Sequence, residues 1–303
     1  MDDVARRGRV RSKGWTRLSH GLYVVDLDDL HASLAAWQRV LPPRAAFTHL
    51  TAARLHGWWL PPVPAGTPTF AAVPHAGSRP RRAGLRVTRL PQAFRIGRES
   101  GLPVTLPPET LLACAHDIGL LDLVVLVDAA LHHGHTTVEE LAEAATARRR
   151  GAPRLREALQ WCDSRSESAW ESLLRVLHVS ADVPVVPQHE VRHHGRFVAR
   201  GDLWLEGTTT LHEYDGVHHR SPAQQRKDLA RDRRLANAGW TRRGYTAVEV
   251  LHEATAIIRD CDQALGRAHD PRRVARWHWL LAESTFTTRG RARLLARVAK
   301  PPR

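Results

Sequence analysis

Three carboxylates crowd one short stretch of this chain. In GDLWLEGTTTLHEYDGVHH, residues 201–219, Asp202, Glu213 and Asp215 flank a Gly207-Thr208 pair. Leu203 and Leu205 alternate with Asp202, Trp204 and Glu206, and Leu211, Glu213 and Asp215 continue beyond the pair. This is the period-2 pattern of two strands. A Gly-X pair suits a two-residue hairpin turn of the primed type. Centring the turn there sets Glu206 opposite Thr209, Trp204 opposite Leu211 and Asp202 opposite Glu213. Cross-strand neighbours lie roughly 5 Å apart at Cβ, where like charges repel, and Asp215 shares the face of Glu213. Such a face needs positive charge. A divalent cation held by oxygen ligands supplies it, together with the means to activate a water for hydrolysis. Arginines beside an exposed acidic hairpin supply it too, and the local geometry leaves both readings open.

The elements around the hairpin must position these groups. Ser166 to Arg175 starts a helix, with Ser168 as cap and Glu171 three residues on, a capping box. Capping alone accounts for Glu171, while a helix-borne carboxylate ahead of an acidic hairpin can also reach a metal or its water. Val185–Val191 and Phe197–Leu205 read as strands. Beyond the hairpin, Ser221 and Pro222 open a helix on which Lys227, Arg231 and Arg234 recur at helical spacing, with Asp228 and Asp232 placed for local ion pairs. Trp240 to Val250 reads as a further strand beginning with Arg242 and Arg243, and Glu249 to Leu265 as a closing helix. Helix, three strands, helix, strand and helix make a compact α/β order.

The rest of the chain carries less chemistry. Residues 1–60 look like a small helical or winged module. It has a turn and strand at Gly21-Leu22-Tyr23-Val24, a short helix at Leu34–Val40 and a second from Thr48 to Gly57. His49 and His56 on the latter lack a third ligand and read as ordinary histidines. Residues 61–159 form a bridging region, with strand-like pieces at Pro68–Val73 and Leu85–Leu90 and an arginine loop at Arg79, Arg81 and Arg82. Helices follow from Pro107, including an apolar one over Leu120–His132 and one opened by a capping box at Thr137-Val138-Glu139-Glu140. In residues 268–303, Trp277, Trp279, Leu280 and Leu281 indicate a helix that packs before a basic tail. That tail reads either as a phosphate-binding arm or as a solvated, disordered end.

The chain of 303 residues carries 45 basic against 31 acidic side chains, a net charge of +14. That surplus attracts polyanions, with nucleic acid first among them. A GC-rich genome explains arginine over lysine but not the excess of positive charge. Three separated cysteines, Cys114, Cys162 and Cys261, exclude a disulfide framework or zinc finger and fit a reducing cytoplasm. The start has no secretory pattern, and the longest apolar run, Leu120–Leu131, is too short to span a bilayer. No membrane partner and no small-molecule cofactor are expected, and the oligomeric state stays open.

Residues 160–267 resemble the very-short-patch-repair-like endonucleases of the PD-(D/E)XK superfamily. The resemblance rests on residues 166–175, Gly201-Asp202-Leu203, His212-Glu213-Tyr214-Asp215-Gly216 with His218, Lys227-Asp228, Arg231-Asp232 and Ala238-Gly239-Trp240. Residues 1–60 more loosely resemble AbiEi-type antitoxin or transcriptional-regulator modules, through Gly21-Leu22-Tyr23-Val24 and Thr48–Gly57. The implied fold is an α/β (α+β) restriction-endonuclease-like domain behind a mostly helical, winged-helix-like N-terminal region. The implied cofactor is Mg2+ or Mn2+, held by Asp202 and Glu213 with Glu171 completing the site. The superfamily lysine two residues after the acidic residue is Asp215 here; with Asp202, Glu213 and Asp215 in the catalytic set, either His218 or Lys227 substitutes for the lysine or the site is inactive. Arg231, Arg234, Arg242 and Arg243 are the expected contacts to DNA. The expectation is thus a cytoplasmic, metal-dependent DNA endonuclease or nickase in DNA repair or mobile-element defence. The alternative is a DNA-binding regulator that keeps the nuclease fold without chemistry.

Overall fold

Twelve α-helices and three β-sheets make up the described part of the chain. The structure, a computed structural model, describes residues 5–7, 14–91, 94–216 and 222–299. The fold is mixed α and β, as the sequence pattern anticipates.

Strands β1 (Ala5–Arg7), β2 (Thr16–Ser19) and β3 (Leu22–Val24) form a small antiparallel sheet in the order β1-β3-β2. Helix α1 (Leu30–Gln38) starts before the expected Leu34, because the Asp29 carboxylate caps it by accepting from Ala32 N at 3.0 Å. Strand β4 (Ala46–Phe47) leads into α2 (His49–Leu55), which ends ahead of Gly57 at φ +74°. β5 (Thr69–Pro74), β6 (Leu85–Leu90), β7 (Ile96–Glu99) and β8 (Leu102–Thr105) then complete a five-stranded sheet, ordered β6-β5-β4-β8-β7. β4 pairs with both β5 and β8. A two-residue strand draws its ladders from its neighbours, so this sheet runs straight across residue 60 and that position separates no structural units.

Helices α3 (Pro107–Asp117), α4 (Leu120–His132), α5 (Val138–Thr146) and α6 (Ala152–Leu159) follow. α4 is buried along nearly its whole length, and the Thr137–Glu140 capping box opens α5. Helix α7 (Ala169–Ser180) precedes strands β9 (Val185–His193), β10 (Arg196–Leu205) and β11 (Thr210–Tyr214), helix α8 (Pro222–Asn237) and strand β12 (Thr241–Tyr245). The four strands form one sheet, ordered β12-β11-β10-β9, with β11 and β12 parallel and the other pairs antiparallel. Leu203 and Leu205 belong to the core shared with α7, while Val191, Ala199 and Leu211 pack with Leu235 of α8. The sheet is thus covered by a helix on each face.

β12 is shorter than the expected Trp240–Val250 strand. Thr246 and Glu249 form a reciprocal capping box that stops it and starts α9 (Ala247–His252). The expected closing helix is therefore two, α9 and α10 (Ala254–Ala264). After a 3-10 turn at Pro271–Val274 come α11 (Ala275–Leu281) and α12 (Thr288–Ala299). α12 is docked, not a solvated arm. Leu294 and Val298 are buried, Arg86 donates to the Arg297 carbonyl at 3.0 Å, and Arg297 donates to the Asp117 carbonyl at 3.0 Å. One contiguous core runs from Leu50 of α2 to Val298 of α12. Among the described residues no helix is long and apolar enough to cross a membrane.

Candidate active site

The hairpin register follows the alternation. Leu203 pairs with His212 and Trp204 with Leu211, the expected register; the β10–β11 pairing ends there, and Asp202 is tied to β11 through Tyr214 N. The turn differs from the expected primed type. Thr208 N donates to the Leu205 carbonyl at 3.1 Å, and Gly207 sits third in that turn at φ +82°, a type II arrangement. The register survives because Glu206–Thr209 link the strands with the same number of residues on either side of the same centre.

Glu213 is buried, and both of its oxygens are taken by arginine. Arg231 of α8 grips Oε1 and Oε2 as a fork, and Arg242 of β12 donates through Nε to Oε2. Arg242 also donates to Asp215 Oδ1 at 2.6 Å. Burial disfavours the charge on Arg242, but Glu213, Asp215 and Asp232 outweigh it and raise its pKa. The positive charge that the acidic face requires comes here from two guanidinium groups. Arg242 stands against both Glu213 and Asp215, so a cation that the sequence lacks two positions after Glu213 arrives from the neighbouring parallel strand.

Asp202 and Glu171 are different. Asp202 Oδ2 accepts from Tyr214 N at 2.9 Å, and Oδ1 makes no hydrogen bond among the described residues. Burial, then the charge of Glu171, pushes the Asp202 carboxyl up to about 7. Glu171 Oε2 accepts from Glu167 N and from Gln188 Nε2, both at 2.8 Å, and its Oε1 is left open. Its carboxyl is also raised, by burial first. Ser168 caps α7 through Glu171 N at 3.2 Å, but the Glu171 carboxylate does not return the capping bond to Ser168. It turns to Gln188, a strand residue at φ +53°.

The other sequence candidates are scattered. Arg243 lies on the opposite face of β12 and pairs with Asp260 at 2.6 Å. Of the four arginines expected on DNA, Arg234 is exposed, while Arg231, Arg242 and Arg243 are held in ion pairs. Lys227 is exposed and makes no ion pair among the described residues; the cation that reaches Glu213 from α8 is Arg231, about one turn later. His218 lies outside the described residues. Asp202, Glu213 and Glu171 are not drawn into one tight ligand cluster. The one such cluster among the described residues is His178, His212 and Cys261, whose ligand atoms all lie within 4.8 Å.

That trio escaped the sequence reading, because its members come from α7, β11 and α10. One signal was present: His212 alternates onto the apolar face of Leu203. His178 Nδ1 donates to the Leu174 carbonyl at 2.7 Å, which leaves Nε2 to accept from His212 Nδ1 at 2.8 Å. Burial pushes His178 down to about 4 and His212 well below its ordinary value. Two imidazoles and a thiol suit zinc-like cations and not Mg2+; in this structure the imidazoles hydrogen-bond to one another.

The chain is similar to two proteins of Mycobacterium tuberculosis, one from each of two strains and both described as uncharacterized. Each is 29% identical over 268 residues, spanning 84% of this chain and 96% of the relative. No family model and no solved structure matches.

Proposed function

We propose that residues 160–267 form a metal-dependent DNA endonuclease or nickase domain of the PD-(D/E)XK kind, serving DNA repair or defence against mobile elements. The observation that carries this reading is the Asp202–Glu171 pair. Burial raises the proton affinity of both carboxylates, and Glu171 raises that of Asp202 further; each has one oxygen anchored by hydrogen bonds while the other makes none among the described residues.

Open, hard oxygen donors of this kind fit Mg2+ or Mn2+. Asp202 and Glu171 are the residues that would hold the ion; Glu213 is committed to Arg231 and Arg242 and would join only on releasing one of them. A bound divalent ion supplies an electrophile for a phosphate oxygen and acidifies a coordinated water. The chain's own groups do the rest. Tyr214 N orients Asp202 from the adjoining strand. Burial and Glu171 push the Asp202 carboxyl up to about 7 without an ion, so binding of the ion would displace its proton. Arg242, fixed by Glu213 and Asp215, keeps a guanidinium beside the carboxylates, which is the charge a superfamily lysine would bring and which favours an anionic substrate.

The arginine clasp on Glu213 also favours a second reading, a DNA-binding regulator without chemistry. Nicking of supercoiled plasmid with Mn2+ separates the two. Wild type should nick, and Asp202→Asn and Glu213→Gln should not. Nicking by all three would place the activity elsewhere, and no nicking by wild type with DNA still bound would favour the regulator.

A further inference from the structure

At the four-stranded sheet Arg192, Arg200, Arg231, Arg242 and Arg243 are paired with carboxylates. A separate concentration of arginines lies over the five-stranded sheet and the helices beside it. Three adjoining depressions lie there, of about 910, 720 and 610 Å3. The first shares His116, Arg149, Arg150 and Arg297 with the second, and Arg79 and Arg86 with the third. Together they make one continuous trough along β6, α3, the α5–α6 connection and α12. Arginines line every part of it, and none of its residues belongs to the four-stranded sheet.

The charge of this trough is compensated in part: Arg149 pairs with Glu109 at 2.7 Å, and Arg154 and Arg297 with Glu283 at 3.5 and 3.8 Å. Among its lining residues Asp117 is the single carboxylate. It is buried and turned to His116 at 2.9 Å, His49 at 3.5 Å and Arg86 at 3.7 Å. Arg89, Arg148 and Arg150 are exposed and make no ion pair among the described residues. At the floor, His49 is nearly enclosed at 3% exposure; its Nε2 faces Asp117 Oδ2 at 3.5 Å, and its Nδ1 has no hydrogen-bond partner among the described residues. Its backbone sits at φ +55°, uncommon for a side-chain-bearing residue, and its ring stacks on Phe70 at 4.0 Å.

We propose that this trough is a second nucleic-acid site that holds the sugar–phosphate backbone of duplex DNA. Its length, running through three linked depressions, suits a chain of phosphates better than a single small anion. Its chemistry suits phosphates and not bases. Single-strand readers stack bases on exposed aromatic rings, and apart from histidines the lining offers only Phe70, which is 1% exposed. The choice of DNA as the polyanion rests on the function proposed above; the anion site itself does not. Backbone contacts of this type position a protein on DNA without reading sequence. They would hold duplex against the chain independently of the carboxylates on β10 and β11.

The test uses the full chain and a fluorescein-labelled duplex, with anisotropy followed across salt concentrations. The triple variant Arg89→Glu, Arg148→Glu, Arg150→Glu should bind at least about tenfold more weakly than wild type. Its slope of log K against log salt should shrink by about 2–3, near 0.9 for each phosphate that is no longer neutralised. The three side chains make no ion pairs among the described residues, so its melting temperature should match wild type; the corresponding triple alanine variant provides a milder version if it does not. Unchanged affinity and slope in both triple variants would overturn the trough, as would tighter binding of a single strand of the same sequence. Plasmid nicking separates this from the catalytic proposal. Weakened binding by the triple variants with no nicking by wild type would leave the trough standing and the nuclease fallen. Retained binding with nicking by wild type would do the reverse.

Discussion

Replacing Asp202 by asparagine should stabilise this protein at alkaline pH and do much less in mild acid. The Asp202 carboxyl is raised from 3.8 to about 7, by burial and then by Glu171. Three units at about 1.4 kcal/mol each give an upper figure of about 4 kcal/mol. Asp202 retains some solvent exposure, which screens part of this and leaves about 2–3 kcal/mol. The direction follows from proton counting. Unfolded, the carboxyl releases its proton near pH 4; folded, it holds it until near pH 7. Between these values the native state binds the extra proton, so stability falls as pH rises from about 4 to about 7 and stays at the lower level above. Asparagine carries no charge to be disfavoured. Thermal melts of wild type and Asp202→Asn at pH 5 and pH 8 measure the difference directly. At about 2–4 °C per kcal/mol, the variant should gain about 4–12 °C over wild type at pH 8 and little at pH 5. An equal difference at both pH values would refute the strained-carboxylate argument. Mn2+ added at pH 8 should raise the wild-type midpoint and leave the variant unmoved; an equal response would sink the proposed cation site.

Other outcomes follow from other parts of the fold. The buried Arg175–Asp128 pair, at 2.7 Å, ties α7 to α4, so Arg175→Leu should cost about 3–5 kcal/mol by stranding a carboxylate; urea unfolding should show the Asp128→Leu, Arg175→Leu double variant losing less than the single. His178, pushed down to about 4 by burial, should stay neutral at pH 5 in NMR titration, with its stability contribution present above about pH 6.5 and lost as pH falls towards 4; titration near 6.5 would contradict the enclosed hydrogen-bond chain. Gly290→Ala should loosen α12, since a Cβ there would stand 1.8 Å from the Ser284 carbonyl oxygen; faster proteolysis of residues 284–299 is the readout, and an unaltered digest would show that the close approach is readily relieved.

How far the candidate site was legible depends on whether its information is local. Alternation in residues 201–215 was sufficient to set Trp204 opposite Leu211, because the strand period is two and a slip of one residue would have turned Leu203 and Leu205 to the wrong face. Capping at Thr137 and Ser168 was equally local, as each signal lies within four residues. Three of the expected strands, β5, β6 and β9, appear within two or three residues of their anticipated ends. Short elements were not legible: β4, with two residues, and β7 and β8, with four each, have no pattern long enough to register, and the five-stranded sheet they complete exists only because β4 finds β5 and β8.

What the sequence by itself determined is that acidic groups would gather on a strand pair and would need positive charge. Which positive charge only the tertiary structure decided. Arg231 reaches Glu213 because α8 packs across the sheet through Leu235, and Arg242 reaches it because β12 lies parallel to β11 with Arg242 beside Leu211. Its neighbour Arg243, identical in type and adjacent in sequence, points to the other face and meets Asp260. The same limit applies to the basic residues overall. A surplus of +14 is visible in composition, but composition does not say which arginines are paired. Packing pairs those of the four-stranded sheet with carboxylates and gathers others along a trough on residues drawn from four distant segments, because charges find their partners through space and sequence spacing reaches only as far as one helix or one strand.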